Sequence, residues 1–267
     1  MNFRLILSDS LTFTKATFLN KWIRWLILIL LTMPVGLFLM IFIPESLLQW
    51  NLTQKILFGL LLVINLILSV ILAGYGVRIF RGAKEPVEFD HLNGLFVDGL
   101  KAIIVMLLYM VPLIILMILT IGTNITLLLS AGQFPTTIGT VQHTNIMLFT
   151  LSFFLLVYTI LLLPIGVIQF ARSGSVREGM QFLKAQEYID RLGWGNYLLA
   201  YILLAVIIAI SYIGIGILSY VPFIGPIIFL SLLPVLLIFS IRYMTCVYES
   251  ASPEINRNKA DCLLNPK

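Results

Sequence analysis

The residues best suited to chemistry lie in one charged segment between two long apolar runs of the sequence. Six of its side chains are candidates for contact with a ligand: Arg78, Arg81, Phe89, Asp90, Asp98 and Lys101. Guanidinium groups that emerge at a membrane surface bind anionic lipid headgroups, and they also pair with acidic groups of a partner protein. We therefore predict lipid or partner contact at this segment, with plain anchoring of helices at the interface as the alternative.

Spacing within the segment predicts two local interactions. Asp is favoured as the residue that caps a helix N-terminus, so Asp90 is expected to cap a helix that begins at His91. Asp98 and Lys101 are about one helical turn apart, and they are expected to form an ion pair. Both interactions would fix the segment at the membrane surface.

The histidines and cysteines do not form a recognisable metal site. His91 and His143 are the only histidines, and they fall in connections predicted to lie on opposite sides of the membrane. Cys246 and Cys262 are the only cysteines, and neither is near a histidine in the sequence, which argues against zinc. The sequence also has no glycine-rich phosphate loop and no nucleophile elbow. We expect no metal, no cofactor and no enzymatic activity.

The central parts of the apolar runs contain no Asp, Glu, Lys or Arg, although proton-coupled carriers and intramembrane enzymes usually place ionisable groups there. Small and amide side chains let transmembrane helices approach and bond to one another, and proline bends a helix. Seven residues are therefore predicted to pack or kink the helices: Asn65, Pro112, Asn124, Pro164, Gln169, Gly214 and Pro234.

The elements that position these residues are transmembrane helices. The 267-residue chain is 60% hydrophobic and only 11% charged, whereas a soluble domain carries about 25% charged residues. Runs of about 20 apolar residues are long enough to cross the bilayer. They predict an all-α, polytopic transmembrane helix bundle with six spans, at residues 25–43, 56–77, 102–129, 146–171, 197–221 and 223–241. Residues 1–249 form one transmembrane domain, and residues 250–267 form a polar, flexible tail.

The distribution of Lys and Arg predicts the orientation of the spans. Sixteen of the 17 basic residues fall in the two terminal segments or in the connections after the second and fourth spans, and only Lys55 falls on the other side. Basic residues concentrate in cytoplasmic segments, so both termini are predicted to be cytoplasmic, in the plasma membrane. The basic residues are not gathered into one patch, which argues against a nucleic-acid partner.

A threefold organisation is also predicted. Helical apolar periodicity precedes the first, third and fifth spans, on residues Leu7, Leu11, Thr14 and Phe18, then Phe89, Leu92, Leu95 and Leu100, then Phe182, Ala185, Ile189 and Leu192. Amphipathic helices of this kind lie in the membrane interface with the apolar face among the acyl chains. We expect three modules, each an interfacial helix followed by a transmembrane hairpin.

The segment 74–112 resembles a mostly archaeal family of membrane proteins, that of domain of unknown function 4013. The resemblance lies in Gly74–Tyr75, Arg78, Arg81, Pro86, Phe89–Asp90, Leu95–Phe96 and Asp98-Gly99-Leu100-Lys101, and it extends to the N-terminal stretch 6–11. The layout is also similar to membrane domains attached to some glycerophosphodiester phosphodiesterases. The family has no established activity, so the resemblance implies an architecture and not a chemistry.

Two functions are consistent with these features. Charge concentrated in interfacial segments indicates a non-enzymatic protein that packs with a protein partner or another copy of itself, or organises lipid. The alternative is a transporter or channel for a neutral or lipid-like solute, since helices broken at proline build transport sites in several folds. A cavity or lateral cleft between spans would favour the alternative.

Overall fold

The computed structural model describes residues 1–19, 21–32, 51–131, 143–219 and 224–251. The regular elements within these ranges are all α-helices, as predicted. They are α1 (Phe3–Phe18), α2 (Trp22–Thr32), α3 (Leu52–Phe80), α4 (Leu92–Ala131), α5 (His143–Ser173), α6 (Val176–Gly179), α7 (Phe182–Leu192), α8 (Trp194–Ser219) and α9 (Ile224–Glu249).

Five of these helices are long and apolar enough to cross a membrane: Leu52–Phe80, Leu92–Gly122, Ile146–Ser173, Trp194–Leu218 and Ile228–Glu249. The shortest has 22 residues, or about 33 Å at 1.5 Å per residue, and so exceeds the hydrocarbon thickness. The first predicted span begins in α2, and its residues 33–43 lie outside the described part of the chain, as does the tail beyond residue 251.

Two predicted boundaries were wrong. The last helix continues to Glu249, so Arg242 lies inside it, not at its end; its guanidinium is buried because it has an internal carboxylate partner, Asp9. The segment before the third span is not a separate interfacial helix, because α4 runs unbroken from Leu92. Separate helices α1 and α7 do precede α2 and α8, and α7 ends at Gly193, whose positive φ of 81° favours glycine.

The interfacial helices differ in how well their buried faces were predicted. In α7, Ala185, Ile189 and Leu192 are buried, as the periodicity indicates. In α1 the buried face contains Ser10 instead, whereas Leu11 is 59% exposed. The Ser10 hydroxyl is satisfied at this buried position because it donates to the carbonyl of Ile6 within the helix (2.7 Å). Helix α1 as a whole packs against α9.

Most of the buried core lies at one end of the bundle. We call this the charged end: it contains the connection 81–91, the segment 172–193 and the helix termini that join them. Residues 52–69 of α3, 110–122 of α4 and 146–158 of α5, which lie away from it, include no buried side chain.

Helix contacts connect the ends of the chain. Helix α3 packs against α4, α4 against α5, and α8 against α9, while α1 lies along α9 and α2 lies between α3 and α9. Buried tyrosines join neighbours at the charged end: the hydroxyl of Tyr197 donates to the carbonyl of Leu161 (2.6 Å), and that of Tyr243 to Ala200 (3.0 Å). Hydrogen bonds of this kind satisfy polar tips in an apolar core.

Candidate functional site

A close crossing of α3 and α4 positions the charged connection. A Cβ atom at Gly99 would collide with the carbonyl oxygen of Val70, and one at Gly74 would collide with that of Leu95. Only glycine lets two helix backbones approach this closely. Because Arg78 lies one helical turn after Gly74, the crossing places the Arg78 side chain beside the connection 81–91.

Arg78 holds that connection in place. Its Nη1 lies 2.6 Å from Asp90 Oδ1 and donates to the Glu88 carbonyl at 3.2 Å, while Nη2 donates to the Asp90 carbonyl at 2.9 Å. The guanidinium lowers the pKa of Asp90 below its ordinary value, chiefly through the side-chain hydrogen bond. The predicted capping role of Asp90 is therefore wrong: the carboxylate is engaged by Arg78, and the helix begins at Leu92, after His91 with a positive φ of 50°.

Arg81 joins three helices. Its Nη2 lies 2.8 Å from Asp98 Oδ2 on α4, and its Nε donates to the Ala171 carbonyl in the last turn of α5 at 3.1 Å. The predicted Asp98–Lys101 pair is therefore wrong, because Asp98 faces the arginine of the neighbouring helix. Lys101 is half-buried and forms no ion pair within the described residues.

Phe89, the remaining residue of the predicted contact segment, packs inward. Its ring stacks on that of Tyr75 at a centroid distance of 4.8 Å, and the Tyr75 hydroxyl donates to the Val87 carbonyl at 3.3 Å. Five of the six predicted contact residues thus have partners inside the chain. Whether lipid or a partner also touches them stays a prediction, but the observed contacts are those expected of anchoring.

We call an arginine together with its partners from other parts of the chain a lock. Arg78 and Arg81 form the first lock, and a second lock joins α1 to α9. Arg242 on α9 is 6% exposed, and its Nε and Nη2 lie 2.8 and 2.7 Å from Asp9 Oδ2 on α1. Its Nη1 donates to the Ala83 carbonyl at 2.8 Å, and its guanidinium lies over the Phe13 ring at 5.0 Å. The Cys246 thiol lies 3.0 Å from the same carboxylate oxygen. A single arginine thus fastens α1, α9 and the connection 81–91 together.

A third lock joins α5, α7 and α9. Arg172 Nη2 lies 2.7 Å from Glu249 Oε1, and its guanidinium covers the Tyr248 ring at 4.8 Å. The Tyr188 ring stacks nearly parallel on the Tyr248 ring, at a centroid distance of 4.1 Å. The Tyr188 hydroxyl donates to the Tyr248 carbonyl at 2.6 Å. Burial is the largest cause that raises the pKa of Tyr188 well above its ordinary range, so this hydroxyl stays protonated as a donor.

These locks are structural in character. In each, a guanidinium contacts a carboxylate together with a carbonyl or a ring, an arrangement that fixes the relative positions of the segments it joins. Within the described ranges no three of His, Cys, Asp and Glu lie close enough to hold a metal ion.

A cleft of about 350 Å³ lies between α2, α3, α8 and α9 and is a candidate site for a ligand. Five leucines and Ile208 form the apolar part of its walls, and five side chains are polar: Thr32, Asn65, Ser69, Tyr212 and Ser240. Apolar walls with a few convergent polar groups are typical of small-molecule sites, and 350 Å³ lies in the size range of such sites.

The polar groups of the cleft offer both donors and acceptors. The hydroxyls of Thr32 and Ser240 donate to carbonyls of their own helices at 2.8 and 2.7 Å, so their oxygens remain available as acceptors. The hydroxyl of Ser69 donates to Asn65 Oδ1 at 3.4 Å. Tyr212 is 46% exposed, and its hydroxyl has no hydrogen-bond partner in the described residues. Such a lining suits a neutral ligand with an ester or hydroxyl group and an apolar body.

Residues predicted to pack or kink the helices have different surroundings. Pro112, Pro164 and Pro234 all lie inside helices that continue through them. Gln169 Oε1 is buried without a hydrogen-bond partner among the described residues. Asn124 belongs to α4, but its side chain lies outside what the structure describes.

Among the described residues, Gly214 has no neighbour that would show its predicted packing role. Gly214 is exposed, and a Cβ there would meet nothing within 4 Å, whereas a Cβ at Gly166 would collide with the Tyr109 ring. Sequence reasoning thus chose a glycine on the outer face of α8 and missed those at the helix crossings. Asn65 is at the cleft wall.

Sequence reasoning also missed the partners of the locks. Asp9, Arg172 and Glu249 act at the charged end, but each pairs with a residue at least 77 positions away. No local spacing rule reports such a pair. The one available signal is that Asp9 is the only acidic residue before Glu45.

Comparison with known proteins adds a family and no function. No curated protein and no solved structure matches the chain. A family model described as a protein of unknown function, DUF4013, matches residues 57–220, more than half of the chain. The match includes the segment 74–112, whose residues carry the resemblance noted above, and it confirms that resemblance. This helical chain, with its membrane-type spans, therefore belongs to the DUF4013 family of proteins of unknown function.

Proposed function

We propose that this chain is a non-enzymatic, multi-pass membrane protein that organises lipid, and that the cleft between α2, α3, α8 and α9 receives the apolar part of a lipid molecule. The observation that carries the proposal is the cleft itself, with its leucine walls and a few polar side chains. Lipid tails are the solvent at this depth of a membrane, and a neutral glycerol ester would supply groups that match the polar lining.

Exposed apolar surface supports lipid as the neighbour. Leu60, Val63 and Leu66 on α3 are each more than half exposed, and they lie in the half of the bundle that has few buried side chains. A soluble monomer rarely shows contiguous apolar surface of this extent. Surface of this kind is stable against acyl chains, where no hydrogen bonds are lost.

We also propose that the chain crosses the membrane six times, with both termini in the cytoplasm. Helix α2 has 11 residues, or about 16 Å, and needs the following apolar residues 33–43 to cross the membrane. Labelling with a membrane-impermeant maleimide tests the orientation. In a variant with Cys246 and Cys262 replaced by Ser, a cysteine at Lys55 should react from outside intact cells, and one at Lys84 should react only after lysis. Reaction of both from outside would contradict the topology.

Lipid binding is tested by filling the cleft. Thr32→Phe places a ring in the cleft, and Thr150→Phe is its matched control, because Thr150 is an exposed residue of α5 with the same intrahelical hydroxyl bond. After mild detergent extraction, mass spectrometry should find less lipid retained by the Thr32→Phe protein and an unchanged amount in the control. Equal retention in both variants would contradict the proposal.

Transport of a neutral or lipid-like solute is the second candidate. Pro234 is buried in α9 next to Leu233, which lines the cleft, and proline removes a backbone hydrogen bond at that point. Reconstituted protein that moves a fluorescent phospholipid between the leaflets of a vesicle would support this candidate. A defined dimer or a co-purifying protein would favour partner packing instead.

A further inference from the structure

A second feature lies at the N-terminal end of α2, away from the cleft. Glu88 Oε1 lies 3.5 Å from Arg24 Nη2 and 4.0 Å from Lys21 Nζ. Both distances are long for ion pairs, since a charge-assisted hydrogen bond to a carboxylate is about 2.7–2.9 Å. One carboxylate oxygen thus lies between two cations without a tight bond to either.

Arg24 is the less satisfied of the two cations. Its side chain is 8% exposed, and its Nη1 is buried without a hydrogen-bond partner among the described residues. Glu88, in contrast, is 73% exposed, so its carboxylate is mostly solvated. A buried guanidinium without full compensation is costly, and a planar fork of donors binds best to an anion that can accept from several nitrogens. The site therefore favours an anion with more acceptor oxygens than Glu88 presents.

The face of α2 turned away from Arg24 is apolar, since Arg24 shares the buried face with Leu28 and Leu31. Ile23, Leu26 and Leu30 follow one another along an exposed strip of α2, and each is more than half exposed. Trp22 is also exposed, and its ring lies 5.4 Å from that of Trp25, as in the aromatic belts of membrane interfaces. An aromatic pair of this kind places Lys21 and Arg24 at the depth of the lipid headgroups, where the phosphate groups of phospholipids lie.

We propose that Lys21 and Arg24 bind the phosphate of an anionic phospholipid, and that Glu88 occupies this position when no lipid is bound. The Glu88 side chain rotates into solvent as the phosphate enters. The Glu88 backbone stays in place, because its carbonyl accepts from Arg78. This site is separate from the cleft, and it does not depend on the function proposed for the cleft.

Three variants test the site by native mass spectrometry of the full chain titrated with phosphatidylglycerol. Arg24→Gln should weaken binding about tenfold or more, as expected for the loss of a charged hydrogen bond. Glu88→Gln should strengthen it about threefold, because an exposed ion pair no longer competes. Lys15→Gln is the control: it removes an exposed positive charge from α1, and it should leave binding nearly unchanged.

The opposite signs of two variants keep the test independent of folding. Glu88 is exposed, so Glu88→Gln keeps the fold, and unchanged or weaker phosphatidylglycerol binding in that variant would overturn the proposal. Phosphatidylcholine, whose choline cation is repelled by Lys21 and Arg24, should bind more weakly than phosphatidylglycerol. If soluble glycerol 3-phosphate competes as effectively as the lipid, the site serves a free anion, and the lipid assignment is wrong.

Discussion

The two ends of the bundle are built differently. At the charged end, Arg81 bridges α4 and α5, Arg242 bridges α1 and the connection 81–91, and Arg172 of α5 pairs with α9. Leucine, tyrosine and glycine residues pack the helices closely there. At the opposite end, long stretches of α3, α4 and α5 have no buried side chain. The comparison indicates a fixed frame at one end, which leaves the other end free to contact lipid.

The largest effect is expected at the helix crossing of the charged end. Gly99→Ala forces a Cβ against the Val70 carbonyl, so the backbones must separate, and we expect a loss of about 3 kcal/mol or more in the free energy of unfolding. Gly59→Ala is the matched control in α3, where a Cβ meets nothing within 4 Å. Chemical unfolding in detergent compares the two. Similar stabilities would show that the crossing does not fix the frame.

The next largest difference in stability between the two ends is expected when a leucine is truncated to alanine. Leu95 is fully buried between α3 and α4, and Leu95→Ala should reduce stability by about 3 kcal/mol. Leu66 on α3 is 66% exposed, and Leu66→Ala should change stability by less than about 0.5 kcal/mol. The measurement is again unfolding in detergent. If Leu66→Ala reduced the free energy of unfolding as much as Leu95→Ala does, another element would have to cover Leu66.

The lock between the chain ends should contribute less. Asp9→Asn removes the carboxylate from the buried Arg242, and we expect a loss of about 2 kcal/mol, reduced from the cost of a fully buried pair because Asp9 is half-exposed. Glu187→Gln is the control, because it breaks an exposed pair with Arg191 that contributes about 0.3 kcal/mol. Melting temperatures of both variants in detergent measure the difference. Equal shifts would contradict a special role for Arg242.

The smallest effect concerns pH. Because the pKa of Asp90 is lowered in the folded chain, its contact with Arg78 contributes stability above the ordinary carboxyl pKa of 3.8 and loses it as the pH falls through the lower, folded value. Amide hydrogen exchange of the connection 81–91 should therefore accelerate relative to the rest of the chain only in strong acid. Asp90→Asn should remove that acid step, and an unchanged step would assign it to another group.

Hydropathy and charge predicted the spans well where the boundaries depend only on residues that are neighbours in the sequence. The fourth span was placed at 146–171, and the structure gives Ile146–Ser173. Three of the four residues predicted for the buried face of α7 are buried, and Phe182, at its first turn, is exposed. The last helix was placed eight residues short, because Arg242 was taken as a surface residue. A charged residue ends an apolar run in the sequence, but it does not end a helix when another segment supplies its counter-charge.

The candidate sites were harder to predict for the same reason. Arg78 and Arg81 were recognised as important, but their observed partners lie inside the chain. The walls of the cleft come from four helices, and Tyr212 and Ser240 gave no signal in sequence because each is one polar residue in an apolar run. Their significance depends on which helices are neighbours.

The sequence by itself determined that this chain is an all-α membrane-type protein, because each span depends on about 20 consecutive residues that meet lipid. It also determined the family, through the segment around residues 74–112. Only the tertiary structure decided that Arg242 pairs with Asp9, that glycines bring α3 and α4 together, and that a cleft opens between four helices. These features join residues far apart in the chain, and their free energy depends on burial and distance, which local composition does not specify.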